Sequence, residues 1–288
     1  MGRDQTSHSV PISRADRSKL ARETINKTIP RLLTAYPRAK AGIANVQLIR
    51  DLPPTAGSVK GLENATIRIL NSDTLDAARA LHLSHPNHRV AVLSMASPLR
   101  PGGGVLTGAT SQEESLCMRT TLYPSLRDEF YRLPENAIIY TPDVLVFQLQ
   151  TSDSLPKSDR FFVDVISCAA LRLPEVSEGR YIEDSDREIM VKKMRLIMRA
   201  AVKKGCKQVV LGALGCGAYA NPVKEVAEMF KRVICGKSGR VREEGWPGIE
   251  EIVFAIRDTG STISTFQEVF QDVAKPAAQV EAGRSSVQ

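Results

Sequence analysis

Long hydrophobic runs are missing from this sequence, as are closely spaced cysteines and a hydrophobic leader. No apolar stretch approaches the roughly 20 residues that a membrane-spanning helix needs, so we expect a soluble protein without a membrane partner. The first residues, MGRDQTSHSVPISRADRSK, contain no hydrophobic region of the kind that secretory signal peptides carry. The five cysteines lie far apart and form no CxxC pair. These absences predict an intracellular protein, cytoplasmic or nuclear, in a reducing compartment.

The composition is that of a globular protein with an excess of positive charge. Hydrophobic residues make up 42% of the chain and charged residues 25%, with a net charge of +7 and a pI of about 9.2. This charge favours anionic partners such as nucleotides, nucleic acids or phosphorylated polymers. The length of 288 residues suits one large domain. We predict that this domain spans residues 15–275, between disordered tails at 1–14 and 276–288.

Short apolar segments alternate with amphipathic ones along most of the chain. The segments TIRIL, RVAVLSM, AIIYTP, DVLVFQ, FFVDVIS, QVVLGAL and EEIVFAI have the composition of buried strands. Helical patterns separate most of them, which predicts a three-layer α/β/α fold with a mixed, mainly parallel central sheet. Before this body, helical spacing over residues 17–36 predicts an N-terminal helical extension that ends near Pro37. Its predicted apolar stripe consists of Leu20, Ile25, Ile29, Leu32 and Leu33.

Two glycine-rich loops follow predicted strands, at the edge where open α/β sheets bind ligands. The first comprises Gly102, Gly103, Gly104 and Val105, and the second includes Gly215, Cys216, Gly217, Ala218 and Tyr219. Backbone amides in such loops can approach a phosphate closely, so two of them would suit a diphosphate. The alternative is that each loop is only a tight turn. Neither loop is a GxGxxG fingerprint or a GxxxxGK[ST] P-loop, which argues against dinucleotide-dependent hydride transfer and phosphoryl transfer.

Two adjacent carboxylates, Glu113 and Glu114, follow the first loop. With Ser111 as an N-cap, both lie in the first turn of a predicted helix and can reach one cleft. Glycoside hydrolysis requires a carboxyl group that protonates the leaving oxygen. The helix dipole favours ionised carboxylates there, so burial and mutual repulsion would have to oppose it in a general acid. The alternative is that the pair simply occupies a helix N-terminus, where carboxylates are common.

The string SPLRPGGGVLTGATSQEESLCMRTTLYPSL resembles the GGG–QEE signature of microbial-type poly(ADP-ribose) glycohydrolases. The resemblance continues through VDVISCAA and LGALGCGAYANP and covers roughly residues 20–273. It implies a macrodomain-like fold in which ADP-ribose lies across both glycine loops, with Gln112 among the binding residues. It also implies that Glu114 is the general acid/base and that Glu113 holds the distal ribose hydroxyls. No metal or other cofactor is implied.

The same resemblance suggests roles for two further residues and shows one departure. Tyr219 takes the place of an aromatic residue that lies against the distal ribose, although a packed loop anchor is an alternative. Asp73 takes the place of an acidic residue that recognises adenine in many macrodomains, and a helix N-cap is the simpler explanation. Macrodomains commonly carry an asparagine before the first loop, and residues 94–100 contain none.

Three other features suggest different chemistry. His82, His85 and His88 are spaced like metal ligands, but Pro86 interrupts the helix and no cysteine is near. Cys216 is placed like a nucleophile at a helix N-terminus, but no histidine follows position 88 to activate it. A basic helix could dock nucleic acid, although a solvated cationic face is the default interpretation. Its basic residues are Lys192, Lys193, Arg195, Arg199, Lys203 and Lys204.

Together these features predict an enzyme that hydrolyses the ribose–ribose O-glycosidic bond of poly(ADP-ribose) and releases ADP-ribose. The expected partners are ADP-ribose or its polymer on modified proteins, and modified nucleic acid is a further candidate. A non-catalytic reader of ADP-ribose is the main alternative. A nucleic-acid-binding protein that uses the basic helix is a weaker one.

Overall fold

The computed structural model describes residues 12–55, 65–150, 154–236, 244–258 and 260–275. The helices are α1 (Arg14–Glu23), α2 (Ile29–Ala35), α3 (Pro37–Ala44), α4 (Thr74–Ser84), α5 (Gln112–Arg119), α6 (Asp184–Lys203), α7 (Val223–Cys235) and α8 (Ser261–Phe270). The strands are β1 (Gln47–Ile49), β2 (Thr66–Leu70), β3 (Val90–Met95), β4 (Ile138–Val146), β5 (Phe161–Cys168), β6 (Val176–Ser177), β7 (Arg180–Tyr181), β8 (Gln208–Leu211) and β9 (Glu251–Ala255). A π-helical stretch (Thr24–Thr28) joins α1 to α2.

Among the described residues, seven strands form the central sheet in the order β1-β4-β5-β3-β8-β9-β2. Strand β4 runs antiparallel to β1 and β5, and the other neighbouring strands are parallel. The register of β3 pairs Met95 with Cys168 at the end of β5. The carboxyl ends of the parallel strands therefore share one edge of the sheet. The predicted mixed, mainly parallel sheet is confirmed.

Helices cover both faces of the sheet because its strands are apolar on both sides. Ala91 and Leu93 of β3 belong to the core shared with α6, α7 and α8, whereas Val90 and Val92 belong to the core shared with α4 and α5. The alternation follows from the two-residue repeat of a strand. Three layers result, as the sequence predicted.

The N-terminal extension is helical but differs from the single predicted helix. Ile29 and Leu32 are buried as expected, whereas Leu20 is 47% exposed, so its predicted place on the apolar stripe is wrong. Helix α2 ends at Ala35 and a new helix begins at Pro37. Proline suits the first turn of a helix because its missing N–H would have no intrahelical partner there.

Other segments differ from the sequence prediction in three ways. The two predicted strands AIIYTP and DVLVFQ form one bulged strand, β4, in which Asp143 has a φ of 51°. The segment QEESLCMRTTLY predicts a helix that continues to Tyr123, but α5 ends at Arg119 because Thr120 forms an antiparallel bridge with Val146. The short strands β1, β6 and β7 were not predicted.

The basic helix α6 does not present all of its cations to solvent. Lys193 is 4% exposed and donates a hydrogen bond to the Glu135 carbonyl. Arg199 forms a two-point ion pair with Glu244, with N–O distances of 2.7 and 2.9 Å. The prediction of a solvated cationic face is therefore wrong for these two residues, which stabilise the packing of α6.

Some sequence predictions concern the ends of the chain and the membrane. The predicted tails lie outside the described residues except for residues 12–14, in which Arg14 already begins α1. Over the described ranges, the helices are each too short or too polar to span a lipid bilayer.

Candidate active site

A cavity of about 950 Å³ opens where the parallel strands end. Its lining includes Met95 at the end of β3, Ala170 beyond β5, Ala213 beyond β8 and Ala255 at the end of β9. Loops that leave this edge of a parallel sheet converge there, which makes it the usual ligand site of such folds.

Most of the site residues predicted from sequence line this cavity. They are Asp73, Gly103, Gly104, Gln112, Glu113, Glu114, Gly215, Cys216, Gly217, Ala218 and Tyr219. Gly102 and Val105 are not among the lining residues. Val105 is 2% exposed and belongs to the core beneath α5, and a side chain on Gly102 would meet the ring of Tyr123. These two residues shape the loop from behind.

Glu113 is buried at the cavity wall with only part of its hydrogen-bonding capacity used. Its Oε2 accepts a hydrogen bond of 2.8 Å from the amide of Ser97, and Oε1 has no partner among the described residues. Burial raises the pKa of Glu113 to about 8; the amides of Ser97 and Gly102 oppose the shift, and the charge of Glu114 adds to it. A pKa in this range favours the protonated form of Glu113 at neutral pH.

Glu114 lies beside it and is held at both oxygens. Oε1 accepts a hydrogen bond of 2.6 Å from the amide of Gly104, and Oε2 accepts one from the hydroxyl of Ser111. Ser111 occupies the N-cap position of α5, but its side chain binds this carboxylate instead of a backbone amide of the first turn. The carboxylate is therefore fixed in one orientation from the loop and from the helix.

The glycine triplet leaves room for these two carboxylates. A Cβ on Gly103 would lie 2.6 Å from Glu114 Oε1 and 2.8 Å from Glu113 Oε2, closer than a carbon atom can approach. The φ of Gly103 is +56°, a conformation that L-residues adopt only with strain. On Gly104 a Cβ would lie 2.7 Å from the Cβ of Ala109. Steric demands inside the protein thus account for glycine at these positions.

Gln112 uses both ends of its side-chain amide within the protein. Its Oε1 accepts a hydrogen bond of 2.8 Å from the amide of Met95, and its Nε2 donates one of 2.7 Å to the carbonyl of Leu93. Nε2 also approaches Thr74 Oγ1 at 3.2 Å. Gln112 therefore fastens the start of α5 to the end of β3, a function that the sequence did not suggest.

Asp73 caps α4 and pairs with a buried arginine. Its Oδ1 accepts a hydrogen bond of 2.9 Å from the amide of Leu75, as an N-cap does. The guanidinium of Arg119 binds both oxygens of Asp73, at 3.0 and 2.8 Å. Burial acts to raise the pKa of Asp73, but the Arg119 guanidinium together with the amides of Leu75 and Asp76 holds the pKa below its ordinary value. The N-cap interpretation therefore agrees with the geometry, and the ion pair is an addition.

The second loop is fastened by Asn221, which sequence reasoning missed. Its Nδ2 donates to the carbonyls of Leu171, Gly215 and Tyr219, and its Oδ1 accepts from the hydroxyl of Tyr181 at 2.7 Å. Gly215 has a φ of +78°, and a Cβ there would lie 2.5 Å from Asn221 Nδ2. The motif NP after the loop was a visible signal, since an asparagine beside a turn often bonds nearby backbone.

Two other residues of this loop have side chains on the cavity. Burial raises the pKa of Cys216 to about 12, so its thiol is protonated at neutral pH and lacks the reactivity of a nucleophilic thiolate. Tyr219 is half-buried and packs against the core around α6 and α7. Burial raises the pKa of Tyr219, and the nearby Ser97 side chain opposes that shift. Tyr219 thus lies at the cavity with its ring packed against the core.

Four arginines at the cavity were not predicted as site residues. Arg14, Arg100, Arg172 and Arg257 line it, and all four are exposed. They come from α1 and from three different loops, so no local sequence pattern identifies them as one group. The net charge of +7 was the available signal, because it predicted an anionic partner without locating it.

The three histidines lie at the opposite edge of the sheet. His82 and His88 line a smaller cavity of about 340 Å³ beside the first residues of β3 and β5. The ring of His82 stacks on Phe161 with centroids 5.3 Å apart, and His85 stacks on His88 at 4.8 Å. Within the described part of the chain no three His, Cys, Asp or Glu side chains are grouped as metal ligands.

The fold and the cavity define a class of protein. A three-layer, mainly parallel α/β/α body has a large cavity at its strand ends, with two buried carboxylates behind a glycine loop. This is a macrodomain-like architecture. A family profile described as the microbial-type PARG catalytic domain, where PARG denotes poly(ADP-ribose) glycohydrolase, matches residues 35–149. A search of curated proteins finds no match.

Solved structures extend the similarity beyond that segment. The poly(ADP-ribose) glycohydrolase from Thermomonospora curvata is 26% identical, with a TM-score of 0.72 over 89% of this chain and 100% of that one. Its complex with the inhibitor ADP-HPD is 25% identical, with a TM-score of 0.70 over 88% and 99% of the two chains. The Deinococcus radiodurans enzyme in complex with ADP-ribose shares the fold at 22% identity, with a TM-score of 0.65 over 83% and 99%. The resemblance to microbial-type poly(ADP-ribose) glycohydrolases is confirmed.

Proposed function

We propose that this protein is an ADP-ribosyl glycohydrolase that cleaves the ribose–ribose O-glycosidic bond of poly(ADP-ribose) and releases ADP-ribose. The observation that carries the proposal is the fixed carboxylate of Glu114, held by the Gly104 amide and the Ser111 hydroxyl beside buried Glu113. The family match and the similar glycohydrolase structures, two of them bound to ADP-HPD or ADP-ribose, support it.

The cavity suits an ADP-ribose unit in size and in charge. Its volume of about 950 Å³ is at the upper end of the range usual for small-molecule sites. We assign the diphosphate to the space between the two glycine loops, where backbone amides can donate to its oxygens. The exposed arginines at the cavity add positive charge for the same group.

In the proposed reaction Glu114 acts twice. It first donates a proton to the ribose oxygen that leaves, while the anomeric carbon takes on oxocarbenium character. It then accepts a proton from the water that attacks this carbon, so the carboxyl group returns to its initial state.

Glu113 has a different role in this proposal. Its retained proton makes it a hydrogen-bond donor as well as an acceptor, which suits the hydroxyl groups of the distal ribose. Tyr219 closes the same region from the second loop. The two groups orient the sugar so that its anomeric carbon faces Glu114, and orientation of this kind contributes strongly to catalysis.

The decisive experiment measures release of ADP-ribose from automodified polymer by the purified protein and by Glu114→Gln. We expect release by wild type, a loss of at least about 1000-fold in the variant, and unchanged ADP-ribose binding by calorimetry. Glu129→Gln is the matched control, because the Glu129 carboxylate is 65% exposed and lies outside the cavity lining. Polymer cleavage by Glu114→Gln at the wild-type rate would refute the assignment of the acid.

A non-catalytic reader of ADP-ribose is the second candidate. The observation that favours it is the absence of an asparagine in residues 94–100, where the Ser97 amide instead donates to Glu113. Tight binding of ADP-ribose without release by wild type would establish the reader. The arginines at the cavity also suit an ADP-ribosylated nucleic acid, so the release assay is run on that substrate in parallel.

A further inference from the structure

Helix α1 lies outside the sheet and binds the turn that follows the glycine triplet. Arg17 Nε donates a hydrogen bond of 2.9 Å to the carbonyl of Gly108, and Ser18 Oγ donates one of 2.7 Å to the carbonyl of Leu106. Residues 105–107 of this turn form a 3₁₀ helix. The last carbonyls of such a short helix lack hydrogen-bond donors within the helix. Side chains of α1 supply these donors.

The start of α1 packs directly on the same turn. Arg14 Nε donates to the carbonyl of Thr107 at 2.9 Å. Gly108 has a φ of +75°, and a Cβ on it would lie 2.2 Å from the backbone oxygen of Arg14. Three successive carbonyls thus face donors from α1, and no side chain at position 108 fits between helix and turn.

The same turn is also connected to Glu114, the proposed acid. The carbonyl of Gly104 accepts hydrogen bonds from the amides of Thr107 and Ala109, at 2.9 and 3.1 Å. The amide of the same Gly104 donates to Glu114 Oε1. Because both groups of Gly104 are engaged, a shift of the turn would move the donor that holds the carboxylate.

We propose that Arg17 and Ser18 are positioning residues, which hold residues 105–108 so that the Gly104 amide stays on Glu114. This inference rests on the proposed glycohydrolase activity. Neither side chain is among those that line the cavity, so each acts through the turn and not on the ligand. Glycines at 102, 103 and 108 leave the unsupported loop many conformations, and α1 restricts them.

The test compares Arg17→Ala and Ser18→Ala with Lys19→Ala. Lys19 is exposed on the same helix, and its replacement removes the same charge as Arg17→Ala without a contact to the turn. In polymer hydrolysis we expect kcat to fall about 10-fold for Arg17→Ala with KM within about twofold, and no change for Lys19→Ala. Arg17→Lys should recover part of the lost kcat, because an ammonium group can also donate to the Gly108 carbonyl.

Hydrogen exchange of the peptide that contains residues 102–109 gives a readout independent of catalysis. We expect faster exchange in Arg17→Ala and in Ser18→Ala than in wild type and Lys19→Ala, with melting temperatures close to that of wild type.

Unchanged kcat together with unchanged exchange would overturn the proposal, as would a rise in KM at constant kcat. If wild type releases no ADP-ribose, the proposed function fails, while the exchange data still decide whether α1 holds the loop. Should Arg17→Ala fail to fold, Ser18→Ala, which removes one oxygen, decides the outcome.

Discussion

Gly103 and Glu114 approach so closely that no side chain fits between the loop backbone and the carboxylate. A Cβ on Gly103 would lie 2.6 Å from Glu114 Oε1, and the backbone there has a φ of +56°. The two halves of the GGG–QEE string therefore pack against each other. The space that the Glu114 carboxylate occupies requires glycine at position 103. This dependence inside the protein exists before any ligand binds.

Replacing Gly103 with alanine should disturb the acid more than the fold. The added methyl group must push Glu114 or the loop away, so we expect ADP-ribose release to fall by at least about 100-fold. The left-handed backbone adds a destabilisation of about 1–2 kcal/mol. Release kinetics and thermal denaturation measure the two effects. Retention of near wild-type release by Gly103→Ala would contradict the geometry described here.

Replacing Gly217 with alanine separates ligand contact from folding. A Cβ there would meet no atom within 4 Å, although the residue lines the cavity. We therefore expect an unchanged melting temperature. If the second loop receives the diphosphate, the methyl group should weaken ADP-ribose binding by about 10-fold, since close backbone approach is lost. Calorimetry with ADP-ribose measures this, and unchanged affinity would remove Gly217 from the binding site.

The raised pKa of Glu113 predicts a dependence of stability on pH. The pKa rises from an ordinary 4.5 to about 8, so between these values the folded protein holds a proton that the unfolded chain has lost. The associated stability is complete below about pH 4.5 and is lost as the pH rises to about 8. Its size is on the order of a few kcal/mol. Glu113→Gln removes this titration.

The measurement compares wild type and Glu113→Gln by urea denaturation from pH 5 to 9. We expect the free energy of unfolding of wild type to fall relative to the variant over this range. Parallel curves for the two proteins would show that Glu113 titrates normally. Glutamine keeps the size of the side chain, so packing is not the source of a difference.

The ion pair between Asp73, which lines the cavity, and buried Arg119 offers a test of stability. Asp73→Asn retains an N-cap for α4 but leaves the guanidinium of Arg119 without its carboxylate. Removing one member of a buried ion pair costs about 3 kcal/mol, which urea denaturation would detect. Asp76→Asn is the control in the same helical turn. Burial and the charge of Asp73 raise the pKa of Asp76, so neutralising Asp76 should not destabilise the protein. Equal stabilities of the two variants would argue against the pair.

Local patterns predicted much of the fold because strands and helices here follow their own periodicities. The apolar run of β3 is buried on both faces, as a parallel strand requires. Helix α5 begins at Gln112, so Glu113 and Glu114 lie in its first turn as expected. The predicted glycine loops follow parallel strands, whose carboxyl ends share one edge of the sheet. Most of the predicted site residues therefore line one cavity.

Other features depend on partners that no local pattern identifies. Gln112 was predicted as a binding residue and lines the cavity, but the sequence did not indicate its bonds to Met95 and Leu93 of strand β3. Lys193 has the sequence environment of a surface lysine, yet it is buried against the carbonyl of Glu135, 58 positions away. In each case the side chain has several possible partners, and only the packing of whole elements selects one.

Local sequence patterns specified the longer strands of the central sheet, the positions of the glycine loops and the helix that begins beside them with two carboxylates, because these features depend on residues close together in the chain. Packing of distant segments buries Glu113, which raises its pKa, and brings Arg17 to Gly108, 91 positions away. Desolvation and long-range hydrogen bonds arise only when distant segments pack together, so they cannot be read from neighbouring residues.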